Sequence, residues 1–139
     1  MDNVDSVHKI YKKYPNLFPK NCIDCQAGWY DIIDQMCAAI KVYIENEIFD
    51  QNIQPQFTRI REHLGVLDIE INGGDEIVKL IVQACEKLSY HTCEFCGDEG
   101  ELYCSSKWRQ WSHFKTLCLD HAIELFYYRL YKIANKEFI

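Results

Sequence analysis

His91-Thr92-Cys93-Glu94-Phe95-Cys96-Gly97 and Cys118-Leu119-Asp120-His121 are the stretches that decide how this chain folds. A Cys-x-x-Cys turn aims two sulfurs at one point. Gly97 follows at once, and glycine tolerates the left-handed backbone that such turns use. Cys118 and His121 are three positions apart, a spacing that shares one helix face. Between the two pairs lie 21 residues, enough for a hairpin. Turn, hairpin, then a helix with two ligands in its first turn is the order of a treble-clef zinc finger. The expectation is one structural Zn²⁺ per chain, held by Cys93, Cys96, Cys118 and His121. Four protein ligands close a tetrahedral shell and leave no position for catalysis. A redox pair is the weaker reading, since no βαβ pattern surrounds the cysteines. Buried thiols are common one at a time, but the joint spacing favours metal.

The chain has eight cysteines, and the five that are not candidate ligands need roles. Cys104 falls in the hairpin and reads as a packing residue, with a spare ligand as the alternative. His113 replaces His121 only if the helix register differs, and His91 flanks the turn where it can support a ligand from behind. Cys22-Ile23-Asp24-Cys25 is a second Cys-x-x-Cys without an obvious second pair; Cys37 and His8 are the nearest candidates. Structural cysteines are favoured here over a second zinc. A reactive thiol at Cys25 is disfavoured because nothing basic sits beside it.

At 139 residues the chain suits one domain, divided into a helical and hairpin part over 1–90 and a zinc module with a C-terminal helix over 91–139. Its hydrophobic content of 48% and aromatic content of 14% exclude a disordered chain. No run approaches the roughly 18 apolar residues of a membrane span. The N-terminus has no apolar stretch after its charges, so no secretory signal is expected, and a cytoplasmic location follows. Clustered cysteines then argue for metal rather than disulfides. The net charge is −6, with 14 acids and 9 bases over 1–90 against 7 and 6 over 91–139. An acidic chain does not attract phosphate backbones at long range.

Residues 4–14 read as a short helix ended by Pro15, with a loop to Ala27. Trp29, Ile33, Met36, Ile40 and Tyr43 recur at helical spacing and predict a helix over about 28–46. Phe57–Glu62 and Leu67–Ile71 alternate about Gly65, as an antiparallel hairpin does. Asp75 is placed to cap a helix whose predicted inner face is Ile77, Leu80, Ile81, Ala84 and Leu88, with Cys85 beside it. Strands are expected at 101–105 and 111–117. A last helix should run from near Cys118 through Ala122, Leu125, Phe126, Tyr128, Leu130 and Ile133. The fold class is α+β.

No catalytic constellation emerges. Asp31 with Asp34, and Asp75 with Lys79, share helix faces and read as solvated charge. Lys107, Trp108, Arg109 and Trp111, with Lys115 nearby, could stack on and neutralise nucleic acid; a hairpin packed for structure or for a protein partner is the favoured alternative. Tyr127 and Tyr131 could face a dimer partner, or be partly buried within one chain.

Several stretches together resemble a family of small, largely uncharacterised proteins encoded by bacteriophages and prophages. Cys25-Gln26-Ala27-Gly28-Trp29-Tyr30-Asp31-Ile32-Ile33 resembles its Cys and Gly-Trp motif before a helix. Ile60–Leu67 resembles its short hairpin, and Thr92–Gly100 with Thr116–His121 its Cys-x-x-Cys-Gly and Leu-Cys-x-x-His ends. The resemblance covers most of residues 22–123; Cys22 and the tyrosine-rich C-terminus depart from it. It implies the same four zinc ligands and supplies no catalytic activity. The reading is therefore a non-enzymatic protein that binds a host protein, as an inhibitor of a host enzyme or antiviral complex. A nucleic-acid-binding zinc module is the alternative.

Overall fold

A computed structural model describes residues 3–46, 54–105, 114–125 and 127–129. At its centre is helix α2 (Tyr30–Asn46), entered through a single 3₁₀ turn at Ala27–Trp29. Ile32, Ile33, Met36, Cys37 and Ile40 form its buried face, as the helical spacing predicts. Helix α1 (Asn3–Lys13) buries Ile10 against this core. Its C-terminal end is tied to α2 through Asp34, which accepts from Lys13 Nζ at 3.1 Å and from Tyr14 Oη at 3.0 Å. Asp34 is thus a clamp between helices rather than idle surface charge.

The first sheet has the order β1-β2-β3. Strands β2 (Gln56–His63) and β3 (Val66–Asn72) form the expected hairpin, with Ile60 opposite Ile69 and His63 opposite Val66. Leu64 and Gly65 make the two-residue turn at φ of 52° and 88°. Two consecutive positive φ angles are what a tight type I′ hairpin requires. Phe57, Ile60 and Leu67 point into the core. The opposite face carries an ion-pair ladder of Arg59 and Arg61 with Asp68 and Glu70. The loop expected before α2 contains a two-residue strand, β1 (Ile23–Asp24), parallel to β2. Tyr11 Oη accepts from the Ile23 N–H at 2.9 Å, which ties this strand to α1.

Helix α3 (Glu76–Ser89) starts where expected: the Asp75 carboxylate accepts from the Val78 N–H at 3.1 Å. Its rotation differs from the expectation. Val78, Val82, Cys85 and Ser89 are buried, whereas Ile77, Leu80 and Leu88 are 45%, 57% and 50% exposed. The physical reason is the open edge of β3. Its Leu67 N–H donates to Ser89 Oγ at 2.9 Å, and its Ile69 N–H to Glu86 Oε2 at 3.0 Å. An unpaired strand edge needs acceptors. Apolar side chains alone cannot supply them, so the face next to Ser89 and Glu86 turns inward.

The second sheet has the order β5-β4-β6, from β4 (Glu101–Ser105), β5 (Phe114–Leu117) and β6 (Tyr127–Arg129). Helix α4 spans only Leu119–Glu124. The long C-terminal helix is therefore corrected: after Leu125 the chain returns as a strand. Tyr127, Tyr128 and Arg129 pair with Ser105, Cys104 and Tyr103. The edge of β4 left free by β5 offers hydrogen bonds that a longer helix would leave unmade. Tyr127 thus lies in a strand, and Phe126, Leu130, Tyr131 and Ile133 are outside the described residues. A small core of Cys93, Tyr103, Leu117 and Ala122 lies under this sheet, separate from the larger core around α2. Among the described residues, no helix is long and apolar enough to cross a membrane.

Candidate metal centre

Two backbone devices build the site. In the turn, Cys93 O accepts from the Gly97 N–H at 2.9 Å, and Gly97 has φ of 81°. A β-carbon would be strained there, so glycine after the second cysteine is required by the turn itself. The loop closes through Cys93 N–H to Asp98 O at 2.7 Å and Gly100 N–H to His91 O at 2.8 Å. The β4–β5 ladder then pairs Glu101 with Leu117, which sets the turn beside the residue that follows Leu117. That residue, Cys118, takes the N-cap position of α4, and His121 sits one helical turn on.

The four expected ligands come together. One donor atom from each of Cys93, Cys96, Cys118 and His121 lies within 4.8 Å of the others. Cys96 Sγ is 3.7 Å from Cys118 Sγ. His121 presents Nδ1, at 3.2 Å from Cys118 Sγ and 3.6 Å from Cys93 Sγ. With metal–sulfur bonds of about 2.3 Å and metal–nitrogen bonds of about 2.0 Å, tetrahedral edges are roughly 3.8 Å and 3.5 Å. The arrangement can therefore hold a metal ion, and its three soft sulfurs with one imidazole suit zinc. Cys93 is wholly buried, Cys96 is exposed, and Cys118 and His121 are half-buried. The Phe95 ring covers the imidazole at a centroid distance of 5.6 Å. Burial opposes ionisation of Cys93, but backbone N–H groups of Cys118, Cys96 and Phe95 directed at its sulfur win and bring it down to about 7. Such donors stabilise the thiolate that a metal needs.

The turn is also the seat of a buried joint that residue types did not reveal. Glu94, between the two cysteines, is only 2% exposed. Its Oε1 accepts from Lys115 Nζ at 2.9 Å, and its Oε2 from the Gln26 N–H at 3.3 Å. Lys115 also donates to Glu62 Oε1 at 3.1 Å, and Glu62 Oε2 accepts from the Gly65 N–H at 2.8 Å. Burial works against the Lys115 charge, but Glu94 and Glu62 outweigh it and hold its pKa above the usual lysine value. Lys115 is therefore committed to two carboxylates, which removes it from the basic group that the nucleic-acid alternative would use. Gly28 and Trp29 dock on the other side of the turn: Gly28 N–H donates to Glu94 O at 2.7 Å, and Trp29 Nε1 to Thr92 O at 2.8 Å.

The remaining candidates separate. Burial, then the charges of Glu94 and Asp24, push Cys25 up to about 12, and burial raises Cys22 as well. Thiols in that state are poor nucleophiles at neutral pH. Among the described residues, Cys22, Cys25 and Cys37 join no cluster of metal-binding side chains. Cys37 is wholly buried in the main core, and Cys104 lies in β4 opposite Phe114. His91 is exposed, and only its backbone is tied to the turn. Asp75 caps α3, while Lys79 faces Glu76 at 3.8 Å. Lys107, Trp108, Arg109, Trp111 and His113 lie outside the described residues. No protein-family model, curated protein or solved structure matches the chain.

Proposed function

We propose that this chain is a non-enzymatic zinc protein that acts by binding another protein. The metal reading rests on the Cys₃His donor set, which leaves no position open for water or substrate and so suits a structural ion. The order of turn, β4–β5 hairpin and helix carrying the second ligand pair supports a treble-clef module. A site of this kind stabilises its fold by on the order of 10 kcal/mol.

The observation that carries the binding reading is the outer face of α3. Ile77, Leu80 and Leu88 lie on it with Ala84, about half-exposed, although the helix has a complete inner face of its own. The stripe runs for three helical turns, the length that a groove-binding helix reads at i, i+3 and i+7. Lys87 borders it, while Lys79 lies further round the helix and faces Glu76. The partner is therefore a protein segment with an apolar stripe of its own. The resemblance to phage-encoded proteins makes it a protein of the host cytoplasm, an enzyme or antiviral complex that the chain inhibits.

The test is capture from host lysate by the wild type and by Leu80→Glu, a surface change that should leave fold and metal intact. A stoichiometric protein held by the wild type and lost with Leu80→Glu supports the reading. Capture that nuclease abolishes, or salt-sensitive shifting of a DNA or RNA duplex, supports the nucleic-acid alternative instead. A solution mass of two chains that Leu80→Glu halves would assign the stripe to a second copy and overturn the reading.

A further inference from the structure

Gly28 precedes the metal turn by 65 positions, yet no other glycine is so tightly enclosed by it. A β-carbon at Gly28 would lie 2.3 Å from Cys93 O and 2.4 Å from Glu94 O, both backbone atoms that cannot swing away. The closeness serves a bond. Gly28 N–H donates to Glu94 O at 2.7 Å, so the peptide that joins Glu94 to Phe95 inside the Cys-x-x-Cys turn is held by its oxygen. A peptide is a rigid plane whose C=O and N–H point opposite ways. Holding its oxygen therefore also fixes the direction of the Phe95 N–H within the turn that carries the two cysteines. Trp29 holds the preceding residue's side of the turn: its indole N–H donates to Thr92 O at 2.8 Å, in the peptide whose Cys93 N–H donates to Asp98 O and closes the loop. Trp29 itself is wholly buried, so this grip has little freedom to shift.

We infer that Gly28 and Trp29 are positioning residues of the metal centre, acting on Cys93 by holding the backbone carbonyls of Thr92 and Glu94, the residues on either side of it. This rests on the metal reading above. Groups that orient ligands from behind are worth about 10- to 100-fold in metal affinity. Coupling between two sites is reciprocal, so the metal in turn fixes the start of α2. The ion is then more than a local staple, because the residues it orders grip the helix at the centre of the larger core.

Titration of the metal-free full chain with Co²⁺, followed by its visible absorption and by competition with Zn²⁺, tests this. The wild type should bind one Co²⁺ with the strong bands of a tetrahedral thiolate site. Gly28→Ala should bind about 10-fold or more weakly, with altered bands. Trp29→Phe removes the indole N–H and the five-membered ring with it but keeps an aromatic side chain in the core, a milder change than a β-carbon driven into the turn at Gly28, and it should also lose affinity. Ile40→Val, a core change in the same helix, should leave affinity and bands unchanged. Wild-type affinity and spectrum in Trp29→Phe, or equal losses in Ile40→Val, would overturn the inference while leaving the metal site standing. Absence of the thiolate bands in the wild type would instead sink the metal reading beneath it.

Discussion

Glu94 shows how a single residue can carry more than its type suggests. An acid between two cysteines reads as solvated surface, and nothing in its neighbours says otherwise. Its burial follows from partners distant in sequence, Lys115 and Gln26, which only the fold brings near. The Cys₃His cluster was legible for the opposite reason: thiol and imidazole at metal-ligand spacing encode their chemistry locally. Lys115→Met should cost on the order of 3 kcal/mol in a denaturant titration, because it strands a buried carboxylate. Adding Glu94→Gln, which removes the stranded charge, should recover part of that loss. The buried thiols give a pH signature as well. Cys25 and Cys85 are raised to about 12 and about 11, Cys25 by burial and then acidic neighbours, Cys85 by burial and then Glu86. Their folded pKa values lie above the ordinary 9.0, so the folded chain keeps protons that the unfolded chain gives up. Their contribution is complete below pH 9 and is lost as pH rises toward 12. A urea midpoint that falls between pH 9 and 11, less steeply in Cys85→Ala, would bear this out.

At the scale of elements, α2, the β2–β3 hairpin and the start of α3 were legible, since period, turn glycine and cap all agree locally. The rotation of α3 and the end of α4 were not. Helix α3 carries apolar side chains over an arc of roughly 200°, taking 100° per residue, so its periodicity alone cannot choose an inner face. The choice is made by two polar side chains that meet the edge of β3. Ser89→Ala should therefore cost about 1–3 kcal/mol, because the Leu67 N–H is left buried without an acceptor. Leu88→Ala, one position earlier and half-exposed, should change stability by less than about 0.5 kcal/mol. Equal costs in thermal unfolding would contradict this rotation. Helix α4 was misjudged because a run of tyrosine and leucine suits helix and strand alike. The free edge of β4 decides for strand, and that edge is a tertiary fact.

At the scale of the whole molecule, the described residues form two apolar cores joined at the Cys-x-x-Cys turn. One lies around α2, and the other under β4 and β5. Gly28 and Trp29 on one side, and Lys115 with Glu62 and Glu94 on the other, fasten the first to the second. The turn itself contributes little apolar surface, so a metal bound there would supply the order that its side chains do not. This explains why two distant stretches, one with Gly-Trp and one with Cys-x-x-Cys-Gly, belong to a single structural idea. The most direct measurement is the mass of the intact chain sprayed from neutral solution, compared with the same chain in acid. The neutral sample should be heavier by one zinc less the two protons that its charge replaces, and Cys118→Ser should lose that increment at zinc levels that saturate the wild type. A neutral chain with no added mass, or a Cys118→Ser variant that keeps its zinc as tightly as the wild type, would contradict the account.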